Sequence, residues 1–227
     1  MDLHHASPWI LLFTKRLLLS HVVSNMVNFF LALGCDLQGR DSQEMTPLLT
    51  ACARTPCSLM AMAFIAEGAD VHAVHWDGSN ALHHIFDQFD YSKFVDPYGQ
   101  AQATLIALLR GGCDPNALNT WVESPSMLAR RNGNRRLWDN VLKLVGYRLR
   151  KVSCKASENG YIMVVVSGLE DGDILPNSSL SLEAYIDIRK NLWKEHQRIG
   201  PISYWNTDEE LSGEDLDETT TEDEPSD

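Results

Sequence analysis

Four histidines, His72, His75, His83 and His84, fall within thirteen residues. Imidazole is a common metal ligand, and a metal site would need three or four of these rings to converge with suitable geometry. A second candidate is EDGDILPNSSLSLE, Glu170–Glu183, where Asp171 and Asp173 suggest a calcium loop. The position that requires glycine holds Pro176, and the twelfth from Asp171 holds Leu182, so the bidentate carboxylate is missing. The five cysteines are an odd number, and Cys52 and Cys57, five apart, do not suit a zinc ligand set. No base stands beside any of them in sequence, which predicts structural rather than catalytic thiols. No P-loop, GxSxG, HExxH or dinucleotide glycine cluster occurs, and Asp90, Tyr91 and Asp96 have no recognisable catalytic spacing. The sequence therefore predicts no enzyme, no metal and no cofactor.

What must position these residues is a recurring unit. Gly34-Cys35-Asp36, Gly68-Ala69-Asp70 and Gly112-Cys113-Asp114 recur at spacings of 34 and 44, and Gly146 follows after another 34. Helix starts recur with them: MTPLLTA at Met45–Ala51, SNALHHI at Ser79–Ile85 and ESPSMLA at Glu123–Ala129. The middle unit carries about ten extra residues in or near Asp87–Gln100, a stretch rich in turn formers. Pro47 suits the first turn of a helix, and Thr46 before it can cap the free backbone donors. Second helices follow at Ser58–Glu67, Ala101–Arg110 and Leu137–Leu144, each ended by a glycine able to turn left-handed. Helix pairs this short bury their apolar faces only by stacking on neighbours.

The unit resembles the ankyrin repeat, with its G-x-T-P-L-H-x-A run, two helices and a G-A-D-x-N turn. Thr46-Pro47-Leu48, His83, Gly68-Ala69-Asp70, Gly78 and Asn116 carry the likeness. Leu49 and Met127 stand where the motif has histidine, and His72 where it has asparagine. The resemblance covers roughly residues 20–147. It implies an all-α, ankyrin-type helical repeat solenoid with β-hairpin turns, in which His83 braces the backbone, His72 takes a turn position and His75 lies at a hairpin tip. It also implies a protein partner held on the row of tips and the concave helical face.

Around this block the chain changes character. Residues 206–227 hold eleven acids and no base, whereas the other 205 residues hold 20 acids and 19 bases, so the net charge of −12 belongs to a tail expected to be disordered. Lys15 and Arg16 interrupt the apolar run near the N-terminus, so neither a signal peptide nor a membrane span is expected. Trp9–His21 and Ser24–Leu33 read as two helices, with residues 1–24 as an N-terminal cap and 25–147 as about three repeats. Reduced thiols point to the cytosol or nucleus. Residues 148–205 read as a C-terminal cap, with a strand at Tyr161–Val166 and an amphipathic helix at Ser181–Ile199 that Pro201 ends. A monomer is expected.

Two surfaces compete for function. The candidate tips are Gly39–Glu44, His75–Gly78 and Asn119–Glu123. Trp76 and Trp121 would anchor a partner there, with Arg40, Asp41, His75, Asp77 and Glu123 as polar neighbours. Between Arg130 and Lys155 lie nine bases against the single Asp139, a net of +8. Arg130, Arg131, Arg135, Arg136, Arg148, Arg150 and Lys151 of this set could bind a polyanion, RNA or phospholipid, with the acidic tail as regulator, although nucleic acid is the less expected partner.

Overall fold

The protein is described from a computed structural model covering residues 20–54, 58–87, 99–153, 161–167, 175–178 and 180–199. The N-terminal helix through Trp9, most of the insertion and the acidic tail lie outside the described residues. Among the described residues the chain forms α1 (Ser20–Ala32), α2 (Pro47–Ala53), α3 (Ser58–Ala66), α4 (Ala81–Asp87), α5 (Gly99–Arg110), α6 (Pro125–Arg131) and α7 (Arg135–Val145). The strands β1 (Tyr147–Ser153) and β2 (Tyr161–Ser167) and a last helix α8 (Leu182–Ile199) follow. None of these helices is long and apolar enough to cross a membrane.

The helices meet in two rows. In one row α2 touches α4, and α4 touches α6; in the other α1 touches α3, α3 touches α5, and α5 touches α7. Local sequence sets each role. The run SLMAMAFIA of α3 is apolar on every side, which suits a helix with neighbours all round, and α3 packs on α1, α2 and α5. In α7, Leu137, Trp138, Val141 and Leu142 are buried while Arg135, Arg136, Asp139 and Lys143 are exposed, an amphipathic helix at the edge of the core. Trp138 donates its indole N–H to Ser126 Oγ at 2.9 Å and meets Phe86 edge-on at 5.2 Å, tying the α7 core to α4 and α6. Pro47 opens α2, and Thr46 Oγ1 caps it by accepting the Leu49 N–H at 3.3 Å.

The turn after each second helix repeats bond for bond. Cys35, Ala69 and Cys113 each donate their N–H to the carbonyl five residues back, at 3.1, 2.9 and 3.0 Å. Asp36, Asp70 and Asp114 each accept the N–H two residues on, at 2.8, 2.9 and 2.8 Å. The residue after that closes onto the next unit. Gln38 donates to Gly68 O at 3.2 Å and accepts from Asp70 N at 3.1 Å. His72 lies against Gly112, where a Cβ would come within 2.9 Å of its ring. Asn116, at the third such position, donates to Val165 O and accepts from Val165 N, both at 2.8 Å.

Val165 belongs to β2, so a strand takes the place of a further turn. The strands pair antiparallel from Tyr147↔Ser167 to Ser153↔Tyr161. β1 is an addition to the sequence reading, which had left Tyr161–Val166 without a partner strand; the alternation in YRLRKVS is its signal. Val165 joins the helical core with Tyr147 and Leu149, while Ile162, Val164 and Val166 face a second small core with Tyr185, Leu182 and Ile186 of α8. Asn177 adds a second clamp, donating to Leu109 O and Cys113 O, both at 3.0 Å, at the end of α5. The bridge Val74↔Asn80 is the one isolated pairing among the described residues, so the loops before α2, α4 and α6 are tight turns with little strand.

Candidate functional site

Those three loops are built alike. Asp41, His75 and Asn119 each donate their N–H to the carbonyl four residues on, at 3.0, 2.9 and 3.1 Å. Each accepts the N–H from three residues on: Glu44, Gly78 and Val122, at 3.0, 2.9 and 2.9 Å. Those last residues turn left-handed, at φ 61°, 80° and 60°. Glycine takes that conformation freely, whereas the β-branched Val122 is strained there and is held by burial to 2% exposure.

The first side chain of each finger finishes the turn. Asp41 Oδ1 accepts from Gln43 N and Met45 N at 2.8 and 3.0 Å; Asn119 Oδ1 accepts from Trp121 N and Glu123 N at 3.1 and 2.9 Å. His75 cannot do this, and Asp77 takes over, accepting the Ser79 N–H at 2.8 Å and the Ser79 hydroxyl at 3.1 Å. Adjacent fingers are then stitched. Arg40 Nη1 donates to Glu44 O at 2.6 Å and Val74 O at 2.9 Å. Thr120 N donates to Asp77 O at 2.7 Å, and His83 Nε2 donates to Glu123 O at 3.0 Å. Burial pushes His83 down to about 4, so its ring is neutral at pH 7 and acts as the brace expected of it. Burial, and then the neighbouring His75, push His84 down to about 4 as well. No group of three or more His, Cys, Asp or Glu among the described residues could hold a metal ion.

Of the seven residues assigned to partner binding, Arg40, Asp41, His75, Asp77 and Glu123 make bonds within or between fingers. Glu123 is raised by burial and lowered again, less strongly, by Arg131, to which it is hydrogen-bonded. Trp76 and Trp121 stand out: they are 68% and 44% exposed. Their rings do not fold back on separate fingers. Trp76 is the second residue of its turn and Trp121 the third, and this offset brings them edge to face across the fingers at 6.5 Å. Trp76 also touches His75 at 5.3 Å, and His75 touches His84 at 5.6 Å, so four aromatic rings run from the tips toward α4.

The basic set is divided by the fold. Arg131 of α6 pairs with Glu123 and, at 3.6 Å, with Asp87, acids from outside the sequence window in which Asp139 stood alone. Arg135 pairs with Asp139 at 3.6 Å, one turn along α7. Arg130 lies on α6, Arg136 on α7, and Arg148, Arg150 and Lys151 on β1. Successive strand residues point to opposite faces, so Arg150 and Lys151 diverge. Sequence reasoning missed one buried cation: Arg189 of α8 is 6% exposed and reaches Met127 Sδ at 2.7 Å and the Tyr185 hydroxyl at 3.4 Å. It was placed on the apolar side of its helix, but nothing in the sequence names its partners.

No protein-family model matches the chain, and no curated protein matches it. Among solved structures it is similar to the ankyrin repeat domain of Bcl-3, described as a unique member of the IkappaB protein family, with 24% identity and a TM-score of 0.39. The match covers 52% of this chain and 50% of that one, so the chain spans about half the length of that relative.

Proposed function

We propose that the chain is a divergent ankyrin-type repeat protein that works as a non-enzymatic scaffold or adaptor. It holds a protein partner on the finger tips and on the helices α2, α4 and α6 that follow them. One observation carries this reading: two neighbouring indoles stay exposed on the tips while every other assigned finger residue bonds inward. Exposed tryptophan is disfavoured in water and is the side chain most enriched where binding energy concentrates. The partner is a protein, the scaffold a monomer, and the setting the cytosol or nucleus.

The test is an affinity pull-down from source-cell lysate with wild type and the Trp76→Ala/Trp121→Ala double variant, with and without nuclease and at two salt concentrations. The reading expects a protein partner lost in the double variant, with affinity reduced by about 30-fold or more. The melting temperature of the variant should stay close to that of wild type. Recovery that ignores both indoles but vanishes with nuclease or salt would transfer the function to the bases between Arg130 and Lys151.

A further inference from the structure

His75 sits between two acceptors. Its Nδ1 lies 3.2 Å from Asp77 Oδ1 and its Nε2 lies 2.9 Å from Gln43 O. A backbone carbonyl and an ionised carboxylate can only accept, and a neutral imidazole has one N–H. The neutral ring therefore satisfies one contact and turns a lone pair toward the other; only the imidazolium satisfies both. Asp77 sharpens the argument, because it is 5% exposed and a buried carboxylate needs a cation or donors about it. Ser79 supplies two donors, and protonated His75 supplies a third with the opposite charge.

The surroundings do not replace that charge. From α4, His84 faces the His75 ring and His83 lies behind it; burial keeps both neutral. From the first finger, Arg40 is anchored on the carbonyls of Glu44 and Val74, and Glu44 offers that finger its carbonyl. From the third finger the contact to Asp77 is the Thr120 backbone N–H, and Glu123 is matched by Arg131.

We propose that His75 is a proton-operated latch on the docking surface. Protonated, it ties the first finger to the second and holds Trp76 in its edge-to-face contact with Trp121; neutral, it releases one tie and loosens Trp76. The idea rests on the docking role of the two indoles and adds regulation to it. Its effect on partner affinity is one net hydrogen bond, about fivefold weaker binding when the proton is lost.

The test needs no partner. Nitrogen-labelled full-length protein is titrated between about pH 5 and 8, the range in which histidines change charge. Long-range proton–nitrogen spectra follow the His75 ring while the Trp76 indole N–H resonance is followed in parallel. The latch expects both nitrogens of His75 to carry protons at the acid end, and the Trp76 resonance to move with the same midpoint. His75→Gln should abolish the Trp76 movement, and because the wild-type titration is informative alone, a poorly folded variant leaves the result standing. A Trp76 resonance indifferent to pH, or a His75 that stays a single tautomer throughout, overturns the latch and leaves the docking surface intact. Failure of the tryptophan pull-down with a normal titration does the reverse.

Discussion

Replacing Asn116 with alanine should be among the most damaging polar substitutions in the chain, and the contrast with Gln38 gives its size. Asn116 makes two 2.8 Å bonds to the backbone of Val165, and Val165 is 0% exposed. Alanine leaves the Val165 N–H and C=O without that partner in a place water does not reach. Each orphaned buried group costs about 1–3 kcal/mol, so the pair should cost about 2–4 kcal/mol. Gln38 makes the corresponding pair of bonds to Gly68 and Asp70, but in the open, where water substitutes. Gln38→Ala should therefore stay within about 0.5 kcal/mol of wild type. The assay is urea denaturation followed by tryptophan fluorescence and circular dichroism together, so that a single cooperative transition is established first. At typical slopes the Asn116→Ala midpoint falls by about 1–2 M urea, whereas that of Gln38→Ala barely moves. Equal losses at the two positions, or less than about 1 kcal/mol at Asn116, would refute the idea that β2 occupies the place of a further turn.

Two more outcomes follow from the same geometry. Burial raises Asp114 to about 6 from an ordinary 3.8, against a smaller opposing effect of the Asn116 N–H, so folding favours its neutral form. A carboxyl raised on folding supports stability fully below its unfolded value and loses that support as pH rises through its folded value. Stability should fall by about 2 kcal/mol between about pH 4 and 7, and Asp114→Asn should flatten that slope in thermal melts at stepped pH. Gly78→Ala should cost about 1–2 kcal/mol, because φ is +80° and the new Cβ would press on Asn119 Cα and Leu118 O at 3.4 Å; an unchanged melting temperature would count against the close approach of the second and third fingers.

Much of the helical frame was legible because it is local. Thr46-Pro47, the three G-x-D turns and the apolar positions of the second helices each act within a few residues, and helices appear at those places with ends shifted by one or two. The insertion was legible as a change of spacing from 34 to 44. The sheet was half legible: the β-branched Tyr161–Val166 announces itself, whereas YRLRKVS looks like a continuation of a basic surface until its partner is known. The site was legible to the extent that tips could be counted. Sequence put one tryptophan on each of two fingers, but whether the rings meet depends on a one-residue offset and on finger separation, which is a tertiary fact. The charged neighbours were misjudged as free for the same reason. Glu123 meets Arg131 eight residues on, and His75 meets Gln43 thirty-two residues back.

The Asn116–Val165 clamp also constrains how a chain like this can lengthen. Gln38 and His72 each meet the turn of the next unit, so a unit slipped in between existing ones finds an acceptor on both sides. At Asn116 the amide is already engaged by a strand that brings its own second core, with Tyr185 and Arg189 behind it. A duplicated unit appended there would have to displace that strand before it could dock. Growth by internal duplication is open, whereas growth at the C-terminal end is barred, and a designer lengthening the binding face should insert new fingers upstream of Gly112 and keep β2 as the terminator.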